Sequence, residues 1–175
     1  MKKQIKTNKK NNGFTLVELL IVISIMGILT VIGMASFKTI QLKSRDARRK
    51  NDLNSISKAL NMYYNDAGIF PHGSPNINTM IKTVGIGFSA NINGITTTYM
   101  VEMPRETTIG IKDYSYTYTT GRSFKLLANL ENENDNSCLQ DGSGNVLKTF
   151  DGYTVSIGCI YGISSSNIKI EDNLL

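Results

Sequence analysis

The sequence predicts an α+β fold: one long N-terminal helix, over about residues 14–66, whose distal half packs on a small antiparallel β-sheet. Three observations predict it. Residues 14–37 form the apolar run FTLVELLIVISIMGILTVIGMASF, whose only charge is Glu18. Beyond it Leu53, Ile56, Leu60, Tyr63 and Tyr64 recur at the spacing of one helical face. Further on, Tyr114-Ser115-Tyr116-Thr117-Tyr118-Thr119 alternates bulky and hydroxyl side chains, the period of a strand with two unlike faces.

At ~1.5 Å per residue, a helix over residues 14–37 is roughly 36 Å long, enough for a hydrocarbon core of about 30 Å. It exceeds the about 7–15 apolar residues of a secretory signal. No A-x-A pattern closes it, Met34-Ala35-Ser36 being the nearest approach. The lysines before it favour a cytoplasmic N-terminus, and the basic stretch after residue 37 opposes that orientation. Gly68, reinforced by Pro71, is the expected helix stop. A helix from 14 to 66 would run roughly 80 Å, and its first half has no soluble core to bury it unless such halves bundle between copies. Residues 72–110, rich in Gly, Asn and Thr, read as loops with one or two short strands. Tyr114–Thr119, a turn at Thr120-Gly121-Arg122 and Phe124–Leu130 read as a hairpin, with a third strand at Tyr153–Ile160. The tyrosine face is expected on Leu53, Ile56, Leu60 and Tyr64; glycan binding is the alternative use of such a stripe.

Composition removes several function classes. The 175 residues suit one modest domain with an added segment. A single histidine, His72, excludes histidine-rich metal sites, and two cysteines exclude a four-cysteine zinc ribbon. The net charge of +5 resides in Lys2, Lys3, Lys6, Lys9 and Lys10, because the rest of the chain carries 14 bases and 14 acids. Residues 38–58 are basic by +5 and residues 59–175 acidic by −4. The aromatics lie in the acidic part rather than among the bases, so no nucleic-acid partner, and no sequence-specific one, is predicted. The basic cluster at 38–50 has three open readings: acidic surfaces of neighbouring subunits, lipid headgroups, or a solvated helix face. Gly85-x-Gly87-x-x-Ala90 formally matches a dinucleotide fingerprint, but the following Asn91-Ile92-Asn93-Gly94 is a turn rather than a helix. No other pattern gathers catalytic groups, and no enzyme is predicted.

A carboxylate in an apolar run is costly and needs a partner. Two readings of Glu18 stand: an external partner, or snorkelling to headgroups near the leader. The segment Gly13-Phe14-Thr15-Leu16-Val17-Glu18-Leu19-Leu20, behind a lysine-rich leader and ahead of a long apolar run, resembles the class III signal of type IV pilins and type II secretion pseudopilins. Asp66-Ala67-Gly68-Ile69-Phe70-Pro71 is similar to the ending of the first helix in that family.

The resemblance implies a ladle-like subunit with a leader at 1–13, a transmembrane and assembly helix at 14–37 and a globular part at 38–175. It implies cleavage between Gly13 and Phe14 by prepilin peptidase and N-methylation of Phe14. It also implies pairing of Glu18 with the N-terminal amine of a neighbouring copy. The expected partners are further copies of the chain, joined through their N-terminal helices, and an assembly platform in the inner membrane. The location is a single-pass cytoplasmic-membrane precursor, then an extracytoplasmic or cell-surface filament. The competing reading is a single-pass anchored extracytoplasmic binding module that never polymerises. Ala35 stands where many relatives carry a helix-bending proline. The resemblance further implies a disulfide between Cys138 and Cys159, closing a C-terminal loop. No cofactor is required. A Ca²⁺ site like that of some pseudopilins is drawn from Glu131, Glu133, Asp135 and Asp141, although the run departs from the EF-hand template. The motif specifies assembly chemistry and is common to motility, adhesion, DNA-uptake and secretion filaments.

Overall fold

The structure, a computed structural model, describes residues 13–72, 77–81, 83, 85–119 and 122–165. The leader up to residue 12, Thr120 and Gly121 of the expected turn, and the side chain of Ala35 lie outside the described residues. The chain divides into two compact units, residues 1–41 and 42–175. Helix α1, Leu16–Ala67, begins in the first and ends in the second.

In the first unit α1 is long and apolar enough to cross a membrane, by length and composition. Its large side chains from Leu16 to Met34 are exposed. The two hydroxyls in this stretch are satisfied within the helix: Ser24 Oγ donates to the Leu20 carbonyl at 2.8 Å, and Thr30 Oγ1 to that of Met26 at 2.7 Å. Neither therefore brings an unpaired donor to an apolar surface.

In the second unit α1 ends where expected. Gly68 adopts φ +74°, and its N–H donates to the Tyr64 carbonyl at 2.8 Å, a left-handed cap open to glycine. The short helix α2 (Ile77–Met80) follows, then the hairpin β1 (Phe88–Ile92)–β2 (Ile95–Met100). Strands β3 (Ser115–Thr119), β4 (Ser123–Leu130) and β7 (Cys159–Ser164) form an antiparallel sheet in the order β3-β4-β7. A small hairpin, β5 (Thr149–Phe150) with β6 (Tyr153–Thr154), stands apart.

The third strand is thus a correction to the sequence reading. The run expected as one strand over Tyr153–Ile160 is divided between β6 and β7. Gly158, at φ +74°, breaks the extended backbone, and the Asn129 amide donates to the carbonyls of Ile157 and Cys159 on either side of it. The chain is turned there so that β7 can pair with β4.

Every residue of β4 is buried because the sheet is covered on both faces. Phe124, Leu126 and Ala128 face one core with Leu53, Ile56, Leu60 and Tyr63 of α1. Leu127 faces a second, with Phe150, Tyr153, Val155 and Ile160. Tyr114 and Tyr116 are buried in the first core, so these tyrosines serve packing. Their hydroxyls are tied: Tyr114 to Asp52 of α1 and Tyr116 to the Pro71 carbonyl, each at 2.8 Å. Tyr99 does the same with Asp66 at 2.9 Å. The glycines of the dinucleotide-like pattern have a backbone purpose. Gly85 sits at φ +69°, and a Cβ on Gly87 would lie 2.4 Å from the Val101 carbonyl oxygen.

Candidate functional site

At the N-terminus, Gly13 and Phe14 are exposed, ahead of the first helical turn. Thr15 and Glu18 close a capping box. The Glu18 carboxylate accepts from the Thr15 N–H and from Thr15 Oγ1, both at 2.8 Å, and the Glu18 N–H donates to Thr15 Oγ1 at 3.2 Å. Free donors at the helix start and the one carboxylate of the apolar run thereby satisfy each other. On its own helix Glu18 thus has an uncharged partner, Thr15, beside the two readings of its charge. Thr15-x-x-Glu18 is a legible capping signature that the charge argument passed over.

In the second unit the structure builds a buried ionic junction that sequence reasoning missed. Arg49 is 2% exposed. Its guanidinium reaches Asp46 at 2.6 Å, Glu106 at 2.5 Å and Glu131 at 2.8 Å, and donates to Thr108 Oγ1 at 3.0 Å. Asp46 also accepts the N–H groups of Glu131 and Asn132, each at 2.9 Å. Arg45 grips both oxygens of Glu131, at 2.7 and 2.6 Å. Lys50 reaches Asp135 at 2.6 Å. The junction thus ties α1 to the loop through Glu106 and to the loop after β4.

Its electrostatics are those of a saturated pair network. Burial opposes the charge on Arg49, but the hydrogen bonds it donates to Glu106, Glu131 and Asp46 prevail and raise its pKa. Burial likewise pushes Glu106 up; Arg49 and the Thr108 N–H outweigh it and hold the carboxyl below the usual range. The Arg45 hydrogen bond, aided by Arg49, lowers Glu131 against burial. Burial raises Asp52 despite its bond from Tyr114. With all three of its nitrogens engaged, Arg49 has a structural rather than a chemical use.

One sequence reading changes in consequence. The basic cluster at 38–50 is neither wholly solvated nor wholly available to partners, since Arg45, Arg49 and Lys50 are consumed within the chain. The signal was present: Arg49 stands four residues before Leu53, on the stripe that continues through Ile56 and Leu60. The four carboxylates of the expected calcium set have other partners in the structure. Glu131 is held by Arg45 and Arg49, Asp135 by Lys50, and Glu133 by Lys148 at 2.5 Å. Asp141 accepts the N–H groups of Ser143 and Asn145 in its own turn. Among the described residues no three metal-ligating side chains converge. Cys138 and Cys159 are bonded to each other in the structure, 21 residues apart.

Residues 8–34 match the prokaryotic N-terminal methylation motif. The type IV major pilin protein PilA of Myxococcus xanthus (strain DK1622) is 36% identical over 59 residues, 34% of this chain and 27% of that protein. The fimbrial protein EcpC of Eikenella corrodens is 32% identical over 82 residues, 47% of this chain and 48% of that protein. The chain therefore aligns with less than half the length of either relative. No solved structure matches it significantly. The N-terminal segment carries the prokaryotic N-terminal methylation motif, and the long helix followed by small antiparallel sheets accords with a pilin-like α+β fold.

Proposed function

We propose that the chain is the structural subunit of a type IV pilus or pseudopilus. In this reading it is cut between Gly13 and Phe14 by prepilin peptidase, N-methylated on Phe14 and polymerised through its apolar helix. The observation that carries the proposal is the position of Glu18, the sole charge of an exposed apolar run, five residues after Gly13 and inside the matched motif. Before cutting, the Phe14 nitrogen is a neutral peptide amide and Glu18 is occupied by Thr15. Cutting creates an amine at Phe14. In an apolar setting an amine and a carboxylate attract strongly, and either alone is costly. Contacts between apolar helices lack direction, so one such pair per copy would set their register.

The precursor would sit in the cytoplasmic membrane with its leader inside, and the polymer would grow outward from an assembly platform there. Intact mass and N-terminal sequencing of the chain from its native membrane or sheared surface fraction tests the processing. A chain that begins at Phe14 and carries one added methyl group is expected. A chain still beginning at Met1, in a host with active prepilin peptidase, refutes the proposal in favour of an anchored binding module. Glu18→Ala should be processed yet yield few filaments; a normal yield would sink the pairing.

A further inference from the structure

Among the arginines, Arg45 and Arg49 are saturated, whereas two neighbours are not. Arg105, half-buried on the loop between β2 and β3, has no ion pair or hydrogen bond among the described residues. Arg48 is 67% exposed along its side chain, and its nearest carboxylate oxygen, on Asp52, is 3.8 Å away and already accepts the Tyr114 hydroxyl. Both arginines line an open cleft of about 530 Å³, together with Asp52, Ser55 and Met103, and a smaller recess of about 90 Å³ beside Arg49. Glu102 lines the larger cleft too, without pairing to either arginine. A guanidinium that is partly dehydrated and unbonded is incompletely satisfied, and its planar fork suits a carboxylate.

We infer that the Arg48–Arg105 cleft receives a carboxylate presented by a second copy of this chain. The inference rests on the filament reading above. The charge balance favours a copy as the source: residues 59–175 carry 11 acids against 7 bases, while the excess of bases lies at 38–58. Within one chain that complementarity is only partly used. Asp113 is exposed and has no ion pair among the described residues, so each copy presents an acid while holding the unbonded Arg105 in its cleft. Side-by-side packing of copies brings the two together, adding a polar contact between globular parts to the apolar one between helices.

The test uses the full-length chain in its native host, read as filament yield at matched subunit level and processing. Arg48→Glu, on an exposed helix position, and Arg105→Glu should each lower the yield at least about tenfold, because like charges then face each other. The melting temperature of the detergent-solubilised variants should stay at the parental value. Copies carrying Asp113→Lys should restore filaments when co-expressed with the Arg105→Glu chain. Parental yield from both arginine variants, or no restoration by the lysine copies, overturns the inference. Inorganic phosphate titrated onto the solubilised parent chain separates a free-anion site. Phosphate binding lost in Arg48→Glu while filament yield is unchanged would assign the cleft to a small anion and overturn the second copy. Filaments lost in Glu18→Ala but kept in both arginine variants would reject the cleft and leave the filament reading intact. A processed parent chain that forms no filaments would reject that reading itself.

Discussion

Replacing Arg49 with methionine removes the guanidinium on which Asp46, Glu106 and Glu131 converge, while keeping a side chain of similar length. The five hydrogen bonds and ion contacts of Arg49 cannot simply be summed. At about 1.5–3 kcal/mol each, they would approach the whole stability of a domain, about 5–15 kcal/mol. Desolvation of Arg49 offsets most of that gain. What decides the outcome is the charge left behind, because removing one member of a buried ionic network costs about 3–5 kcal/mol. The lower end applies here, since each carboxylate retains another donor: Glu131 keeps Arg45, Glu106 keeps the Thr107 and Thr108 N–H groups, and Asp46 keeps those of Glu131 and Asn132. Urea denaturation of the full-length chain in detergent, followed by tyrosine near-ultraviolet circular dichroism, should show about 3 kcal/mol lost at pH 7. The pH dependence should also change sign. In the parent, Glu106 and Glu131 are held below their unfolded value of about 4.3, so their stabilisation is present above that pH and lost as pH falls through the folded values. In the variant, burial without the Arg49 cation raises the Glu106 carboxyl above its unfolded value, while Glu131 stays held by Arg45, so protonation of Glu106 then favours the folded state. The deficit should therefore narrow as pH falls from about 7 to about 4. A loss under about 1 kcal/mol, or a deficit that stays constant with pH, would refute the reasoning.

Leu60→Ala removes a fully buried side chain between α1 and the sheet and should cost about 2–5 kcal/mol in the same denaturation experiment. Gly158→Ala should destabilise by more than about 2 kcal/mol, because φ is +74° and a Cβ would lie 1.6 Å from the Leu130 carbonyl oxygen; a thermal melt superposable on the parent's would contradict this. Cys138→Ser with Cys159→Ser opens a 21-residue separation and should cost roughly 3 kcal/mol, matched by a reductant-induced shift in the parent that the double variant lacks.

Apolar periodicity carried much of the fold into view. The helix expected over about 14–66 is observed over Leu16–Ala67, and the tyrosine hairpin is observed as β3 and β4 in register. These features are local: they follow from side-chain period, a helix-stopping glycine and an alternating strand, all of which act within a few residues. The N-terminal motif was equally legible, because Gly13, Phe14 and Glu18 lie within six residues of one another. The capping role of Thr15 was legible too, but was hidden behind the search for a charged partner.

Nothing local reveals that Arg49 lies beneath Glu106, 57 residues away, or Glu131, 82 residues away. In sequence its neighbours Arg48 and Lys50 are indistinguishable from it in charge. Only folding sorts them, because the helix rotates Arg49 onto the core stripe and leaves Arg48 outward. The division of the last strand has the same origin, since the need of β7 to pair with β4 overrides the apolar pattern through Gly158 and Asn129. Three of the four carboxylates grouped as a metal site likewise pair with cations from elsewhere in the chain, and Asp141 accepts N–H groups of its own turn. Sequence by itself determined the elements, their periods and the motif at the start of the chain. Tertiary structure decided which charges are buried together, because desolvation and Coulombic pairing depend on distances in space that spacing along the chain does not contain.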